Sequence, residues 1–370
     1  MHLESISIVN FRNHHLAEFQ PGSGVTVIYG NNGTGKTSLL ESVHYCTMTR
    51  GFAKSTDRDC LSFGKNYFTI RASFLSDIGA KTDIRIAYPS DGEKSIQVNG
   101  QELQSFSRHI GTIPCVVFSP YDMVIVNGPP SERRRFLDSA ISQHDRKYLE
   151  DLLHYRRFVQ QRNALLSGFM ERNSSVDTLD VLTEQVAFHA ASIVVSRQRF
   201  VRRFSELFSN IHSVFHDGDE AAIEYQCSLG KIDTEEGIES VNDFILRRYR
   251  KIRNDEISRR QTLAGPHRDD LLLFSGGHEV KKFSSQGRQR SYVIGMKLSM
   301  ISYLHELTGE KPVNLLDDLF SELDHDMKEK VLSGLVPIGQ IFITSTANIK
   351  KKGVGGYPVE ALLKHRQSQE

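Results

Sequence analysis

The chain has 370 residues, and 46 Lys and Arg against 45 Asp and Glu leave a formal net charge of +1. This balance excludes a histone-like arm and an acidic solvating tail, and it leaves nucleic-acid binding open. Hydrophobic residues make up 39% and charged residues 25%, as in soluble proteins of two or three domains. The four cysteines show no CxxC spacing, and we find no signal sequence and no apolar run of ~18 residues. We therefore expect a cytoplasmic protein with no membrane segment.

Short strands and turns dominate the first part of the sequence. A β-rich run at residues 25–29 precedes a helical pattern, and further strands are predicted between residues 66 and 118. An Asn-Gly pair at residues 99–100 separates two short runs and predicts a hairpin. A Gly-Pro-Pro sequence at residues 128–130 marks a change of pattern. We therefore predict residues 1–128 to be the first half of an α/β domain.

Apolar residues at spacings of three and four predict that residues 129–264 are mostly helical. The patterns from Leu149 to Leu165 and from Leu179 to Ile211 indicate two facing helices. Two interpretations remain open: helices of about 30 residues that project ~45 Å as an antiparallel hairpin, or a helical subdomain folded against the first region. From residue 265 onward strand and helix alternate again, which predicts the second half of the α/β domain at residues 265–370.

Residues 30–37 match the phosphate-binding pattern GxxxxGK[ST] at every fixed position, between a predicted strand and a predicted helix. Glycines let such a loop turn its backbone N–H groups onto phosphate oxygens, and the helix directs its positive end to the same anion. Lys36 is expected to reach the β- and γ-phosphates, and the Thr37 hydroxyl to bind magnesium. The alternative is a glycine-rich turn without a ligand. The predicted ATP-binding residues of this loop are Gly30, Asn31, Asn32, Gly33, Thr34, Gly35, Lys36, Thr37 and Ser38.

An apolar run that ends in Asp317 and Asp318 supplies the carboxylates that such a site needs. We expect Asp317 to hold Mg²⁺ together with Thr37, and Asp318 to polarise the attacking water as general base. Strands often end in acidic residues, so this pair is informative only beside the loop that carries Lys36. Asp317 lies 281 positions after Lys36, more than a compact nucleotidase needs, which indicates that the helical region is an insertion.

Three further segments resemble parts of ABC-type and SMC-type ATPases. Residues 321–324 resemble a D-loop, which implies that Asp324 lies at a dimer interface. Residues 8–13 resemble the start of SMC-type heads, which implies that Arg12 lies near the nucleotide. The third segment opens a predicted helix and is similar to a variant of the ABC signature motif. That similarity implies contacts to the γ-phosphate of ATP held by a second subunit, made by Ser285, Gln286, Gly287 and Arg288.

The ordered set of motifs narrows the resemblance to one family. The segments at residues 10–13, 132–138, 265–270 and 315–318 resemble, in order and spacing, those of the RecF family of bacterial recombination mediators. The resemblance covers essentially the whole chain. It implies an ABC-type ATPase head with an inserted helical lobe and no long coiled coil. It also implies an ATP-dependent homodimer on DNA and loading of recombinase with the partners RecR and RecO.

The sequence departs from these patterns at four positions. Arg288 stands where the signature usually has glutamine, and Tyr121 stands where this family is expected to have glutamate, with no Q-loop glutamine nearby. Thr344 follows the last predicted strand, at the place where transporters have a switch histidine. Asp318 is one methylene shorter than the transporter glutamate. We predict slow turnover suited to a timed switch, and no γ-phosphate sensor is assigned.

Charge separates within the helical region. Residues 247–260 have a net charge of +5, whereas residues 213–246 have a net charge of −8. A basic helix face can bind phosphate backbones without sequence preference, or it can be a solvated face paired with the acidic stretch. The RecF resemblance favours DNA. Three roles remain open for the arginines at residues 133–135: contact with nucleotide, contact with DNA, or a link between the two lobes.

Other interpretations concern single residues and the function as a whole. His267 and Arg268 lack metal-ligand spacing, so an ion-paired corner is favoured over a metal site, and a place at the nucleotide interface remains open. Two alternative functions are the nucleotide-binding subunit of a transporter and a scaffold that binds ATP without useful hydrolysis. The long insertion and the missing switch histidine argue against the first, and the intact acidic pair argues against the second.

Overall fold

The computed structural model describes residues 1–52, 55–168, 176–215, 220–319, 328–331, 339–348 and 354–362. These residues form two compact units: Met1–Asp122 with Ser291–Glu370, and Met123–Arg290. The units divide at other places than the predicted boundaries at residues 128 and 264. Residues 265–290 belong to the second unit, because the strand Asp270–Ser275 pairs with a strand of that unit.

The first unit contains an antiparallel sheet in the strand order β2-β1-β4-β5-β6-β7. Its strands are β1 (His2–Phe11), β2 (His14–Phe19), β4 (Tyr67–Leu75), β5 (Lys81–Pro89), β6 (Ser95–Val98) and β7 (Gln101–Glu102). The predicted hairpin at residues 99–100 is confirmed, since Val98 pairs with Gln101. Asn99 and Gly100 both have positive φ angles, of 51° and 78°, as a tight two-residue hairpin turn requires.

The second sheet of this unit is entirely parallel and has the strand order β14-β3-β13-β12-β8. Its three central strands are nearly continuous runs of buried apolar residues, which is typical of a parallel sheet covered on both faces. The helix α1 packs against strands of both sheets, so one apolar core joins them. The elements are β3 (Val25–Tyr29), α1 (Lys36–Met48), β8 (Cys115–Phe118), β12 (Val313–Leu316), β13 (Ile341–Ser345) and β14 (Val354–Pro358), with the part of α8 (Gln286–Thr308) that follows residue 290.

The second unit is mostly helical. Its elements are α2 (Val124–Asn127), α3 (Pro130–Ser142), α4 (Arg146–Gly168), α5 (Val176–Phe215), β9 (Ala221–Gln226), α6 (Ile238–Arg259), β10 (Asp270–Ser275), β11 (His278–Glu279) and α7 (Val280–Phe283). The helices α4 and α5 pack antiparallel, with Asp151 bonded to Ser192 and Arg162 bonded to Thr183. The sequence did not predict β9, because its six residues become a recognisable strand only through pairing with β10.

The segment at residues 265–270 forms an ion-paired corner inside this unit. The carboxylate of Asp270 accepts two hydrogen bonds from Arg133, at 2.7 and 2.8 Å. The buried carboxylate of Asp269 accepts hydrogen bonds from Tyr225 and Ser228. Burial lowers the pKa of His267 to about 4, which keeps its ring neutral. These contacts agree with the ion-paired corner favoured from the sequence.

Candidate nucleotide-binding site

The loop between β3 and α1 turns through glycines with left-handed backbone conformations. Gly33 and Gly35 have φ angles of 81° and 100°, which side-chain-bearing residues rarely adopt. A Cβ atom at Gly35 would lie 2.7 Å from the ring of His14 and 2.9 Å from the amide of Asn13. The turn between β1 and β2 therefore approaches the loop so closely that only glycine fits.

The N-terminal end of α1 directly follows this loop, and no side chain caps its first N–H groups. α1 begins at Lys36, and it has neither a capping side chain nor an acidic residue in its first turn. Its first N–H groups therefore present partial positive charge to an anion. Lys36 Nζ donates hydrogen bonds to the carbonyl oxygens of Gly30 and Asn31, at 2.8 and 2.7 Å. The ammonium group thus contacts the backbone at the start of the loop, and its contact with the phosphates stays a prediction.

Residues 280 positions apart meet beside the loop. Thr37 Oγ1 donates a 2.7 Å hydrogen bond to Asp317 Oδ1. Asp317 is only 4% exposed, and burial raises its pKa, against the hydrogen bonds from Thr37 and Thr344. A hydroxyl and a carboxylate are the hard oxygen donors that Mg²⁺ prefers. The predicted pair of magnesium ligands is thus brought together, and its donor atoms fit this ion.

Asp318 has an unusual backbone. Its φ angle is 50°, in the left-handed region, and its side chain is exposed. Its N–H group donates a 2.8 Å hydrogen bond to Thr344 Oγ1. Such conformations cost free energy and occur often at functional sites. The exposed side chain of Asp318 thus directly follows the buried Asp317.

Arg12 fastens the N-terminal strand to the helix of the loop. Its Nε and Nη2 atoms donate to both carboxylate oxygens of Glu41 on α1, at 2.8 and 2.9 Å. Nη2 also donates to Ser55, and Nη1 donates to the carbonyl oxygen of Asp59. The described contacts of Arg12 are therefore protein contacts one turn beyond the loop, and a direct contact to nucleotide stays a prediction.

A groove adjoins the first turn of α1. It has a volume of about 630 Å³, and Phe63 at its edge is fully exposed. Its lining residues are Arg12, Asn13, His15, Ser38, Asp59, Leu61 and Phe63. Sequence reasoning placed Ser38 at the site and missed Phe63 and His14, because neither belongs to the loop pattern.

The signature-like segment belongs to the second unit. Ser285 precedes α8, and the N–H of Arg288 lies 3.4 Å from Ser285 Oγ. Residues 285–288 are all exposed. The positive end of a 23-residue helix therefore faces solvent, which suits an anion presented from outside. The predicted D-loop residue Asp324 lies outside the described residues.

Residues 119–122, where a Q-loop glutamine would be expected, are held by an ion pair. Lys297 of α8 donates to Asp122 Oδ1 at 2.7 Å and to the carbonyl oxygen of Val117 at 2.8 Å. Asp122 Oδ2 also accepts the N–H of Ser119. Tyr121 is 59% exposed. Lys297 lies 175 residues beyond Asp122 in the chain, so this ion pair could not be predicted from the local sequence.

The fold and the site together define a P-loop ATPase head of the ABC and SMC type. The profile of the AAA domain family matches residues 5–331. An Smc head bound to the winged-helix domain of ScpA has the same fold, with a TM-score of 0.53 at 13% identity over 94% of this chain and 91% of that one. None of the described helices is long and apolar enough to span a bilayer.

Closer similarity identifies the family. The DNA replication and repair protein RecF of Chlorobaculum parvum is 49% identical over 360 residues, which cover 97% of this chain and 98% of the relative. RecF of Chloroherpeton thalassium is 40% identical and covers 96% and 99%. A solved structure of the recombination mediator protein RecF-ATP in the RecFOR pathway superposes with a TM-score of 0.89 at 32% identity, over 96% and 95% of the chains. The chain belongs to the RecF family.

Proposed function

We propose that this protein is an ATP-dependent DNA-binding protein of recombinational gap repair and a slow ATPase. ATP joins two copies into a dimer that holds DNA, and hydrolysis of ATP opens the dimer. The relatives' names and the ATP complex of a relative support this proposal. The single observation that carries it is the contact between Thr37 and Asp317, which places the two predicted magnesium ligands together.

The chemistry follows from the side chains around the loop. The phosphates of ATP lie against the N–H groups of residues 33–38, and Lys36 transfers its hydrogen bonds from loop carbonyls to the β- and γ-phosphates. Thr37 and Asp317 would hold Mg²⁺, and that ion would supply positive charge to neutralise the phosphate oxygens. Asp318 accepts a proton from the attacking water. Phosphoryl transfer depends mainly on positioning and electrostatics, so a slow rate is consistent with an incomplete site in one subunit.

Completion of the site requires a second copy. Ser285 and the first residues of α8 are exposed. In the proposed dimer this end binds the γ-phosphate of ATP held by Lys36 of the other copy. Because ATP contacts both copies only in the closed state, it shifts the equilibrium toward that state. Arg288 adds a cation beside the γ-phosphate. Loading of recombinase with RecR and RecO belongs to the same proposal.

Light scattering tests the dimer. The native protein is measured with ATP, with ADP, and with ATP plus short duplex DNA, beside Lys36→Met and Ser285→Arg. We expect ATP alone to produce a dimer, DNA to strengthen it, and both substitutions to abolish it. A native protein that stays monomeric with ATP and does not respond to DNA would contradict the clamp.

One exposed face of α6 supplies the expected DNA contacts. Arg250 and Lys251 lie three and four residues after Arg247, so both neighbour it on one face of the helix, and all three are exposed. In the described part of the chain these three side chains form no ion pair, whereas Arg253 on the flank pairs with Asp180. The opposite face of α6 is buried. The three cations are therefore available to a phosphate backbone.

Replacing these three residues with alanine is expected to weaken DNA binding for all sequences alike. The slope of log affinity against log salt falls by about 0.9 for each phosphate contact that is lost. Fluorescence anisotropy with duplex DNA and ATP at several salt concentrations measures this slope. A matched triple variant replaces exposed arginines elsewhere in the same unit, namely Arg146, Arg157 and Arg202. An equal loss in both triple variants contradicts the assignment to α6.

We expect the groove beside Ser38 to receive the adenine base, with Phe63 stacked on it. Ser38 lines this groove and lies in the first turn of α1, directly after the phosphate loop. An aromatic pair contributes about 1 kcal/mol, so Phe63→Ala should weaken ATP binding roughly fivefold. Calorimetric titration measures the affinity. Ile78→Ala removes another exposed apolar side chain of the same unit and should leave it unchanged. Equal affinities of native protein and Phe63→Ala contradict the stacking.

A further inference from the structure

Thr344 occupies a buried position at the carboxyl end of β13. β13 lies between β3, which leads into the phosphate loop, and β12, which ends at the acidic pair. The register pairs Ile343 with Leu316, so Thr344 is the first residue beyond the last pair of β12. Its side chain is 2% exposed. The sheet therefore places one hydroxyl directly beside Asp317 and Asp318.

The two hydrogen bonds of this hydroxyl both go to the acidic pair. Thr344 Oγ1 donates to Asp317 Oδ1 at 3.0 Å and accepts the N–H of Asp318 at 2.8 Å. Its donor and one of its acceptor sites are thus used at once. Thr37 donates to the same Asp317 oxygen at 2.7 Å. The Asp317 carboxylate is consequently held from helix α1 and from strand β13, and the backbone of Asp318 is held from β13.

The hydrogen bond between the Asp318 N–H and Thr344 bears on the backbone conformation of Asp318. The left-handed φ of 50° persists only where neighbouring groups hold it, because it is costly for a residue with a side chain. The Asp318 N–H donates to the Thr344 hydroxyl, a side-chain acceptor that is fixed on the neighbouring strand. Relaxation of this backbone would turn the Asp318 carboxylate away from its present direction.

We propose that Thr344 is a positioning residue for ATP hydrolysis, which couples the Asp317 carboxylate to the Asp318 backbone and thereby aims the general base. This inference rests on the proposed function, because it assigns Thr344 a part in the same reaction. Thr344 acts through Asp318 and needs no contact with the nucleotide. The position at which transporters have a switch histidine therefore serves the acidic pair directly in this chain.

Three variants separate positioning from general structure. Thr344→Val keeps the shape and the β-branch but removes the hydroxyl. Thr344→Ser keeps the hydroxyl. Ser345→Ala removes the neighbouring hydroxyl, whose described contact is the N–H of Ala347 in its own turn. Thermal unfolding confirms that each variant is folded before its activity is measured.

Single-turnover phosphate release with DNA and affinity for a slowly hydrolysed ATP analogue are then compared. We expect Thr344→Val to release phosphate about ten- to a hundredfold more slowly, since small misplacements of catalytic groups have effects of that size. Its analogue affinity should stay within about threefold, and Thr344→Ser and Ser345→Ala should retain near-native rates. If the native protein hydrolyses ATP and Thr344→Val matches its rate, the inference is wrong and the proposed function stands. If the native protein releases no phosphate, the proposed hydrolysis fails and the inference fails with it.

Discussion

Replacing Asp318 with asparagine should lower the rate of phosphate release by about 10²- to 10⁴-fold, the usual contribution of general base catalysis. An amide oxygen cannot accept the proton of the attacking water. Asn tolerates the left-handed backbone that Asp318 adopts, at a φ of 50°, so the hydrogen bond to Thr344 survives. ATP binding is expected to persist, because Lys36 and Thr37 are unchanged. The dimer that ATP forms should therefore last longer in the variant.

Two measurements check this expectation. Phosphate release is followed with a coupled assay, and nucleotide retention is measured after rapid gel filtration of the ATP complex. Asp91→Asn, in an exposed turn of the same unit, serves as the matched control and should behave like the native protein. Equal retention and no phosphate release in either native protein or Asp318→Asn would favour a scaffold that binds ATP without useful hydrolysis. A variant that hydrolyses ATP at the native rate excludes Asp318 as the base.

Gly35→Ala should weaken ATP binding by at least about 100-fold. The new Cβ atom meets the His14 ring at 2.7 Å, and His14 is buried and bonded to the Gly35 carbonyl at 2.9 Å, so the ring has little space to move. The loop must open instead, and its N–H groups then no longer converge on one phosphate. Burial also lowers the pKa of His14, which keeps this ring neutral beside the loop.

Gly33→Ala provides the comparison for this variant. Gly33 also has a positive φ, of 81°, but no heavy atom lies within 4 Å of a Cβ built there. This substitution adds backbone strain of about 1–2 kcal/mol without a steric conflict, so its effect should be clearly smaller. Calorimetric titration with ATP compares the two affinities, and thermal unfolding reports whether each variant folds. Equal losses would mean that backbone strain, rather than the packing of His14, determines the loop conformation.

The phosphate loop could be assigned from the amino acids alone because its chemistry depends on consecutive residues. Glycines at fixed spacing permit the turn, and Lys36 and Thr37 follow in the first turn of the next helix. Asp317 and Asp318 can be proposed once the loop is found, since a strand that ends in two acids supplies the carboxylates that such a site needs. The hairpin at residues 99–100 was predictable for the same local reason.

The remaining elements depend on pairing between segments far apart in the chain, which limited their prediction from the sequence. The sequence did not indicate β9, and it assigned residues 265–290 to the C-terminal half of the ATPase domain, whereas β10 pairs with β9 in the second unit. Alternation along a short strand is a weak signal without its partner. The same limit applies to Phe63, which carries no motif and is recognised only by its place beside Ser38.

Residue identity alone therefore predicts the parts of the proposed reaction: a phosphate-loop pattern, two acids and a signature-like helix start. It does not specify which hydroxyls and rings hold those groups in place. Thr344 reaches Asp317 and Asp318 because β13 lies next to β12 in a defined register, and His14 reaches Gly35 because a turn of the other sheet packs on the loop. Loop conformation follows from neighbouring residues, whereas strand order and register result from burying a common core. Contacts between residues far apart in the chain consequently exist only in the folded protein.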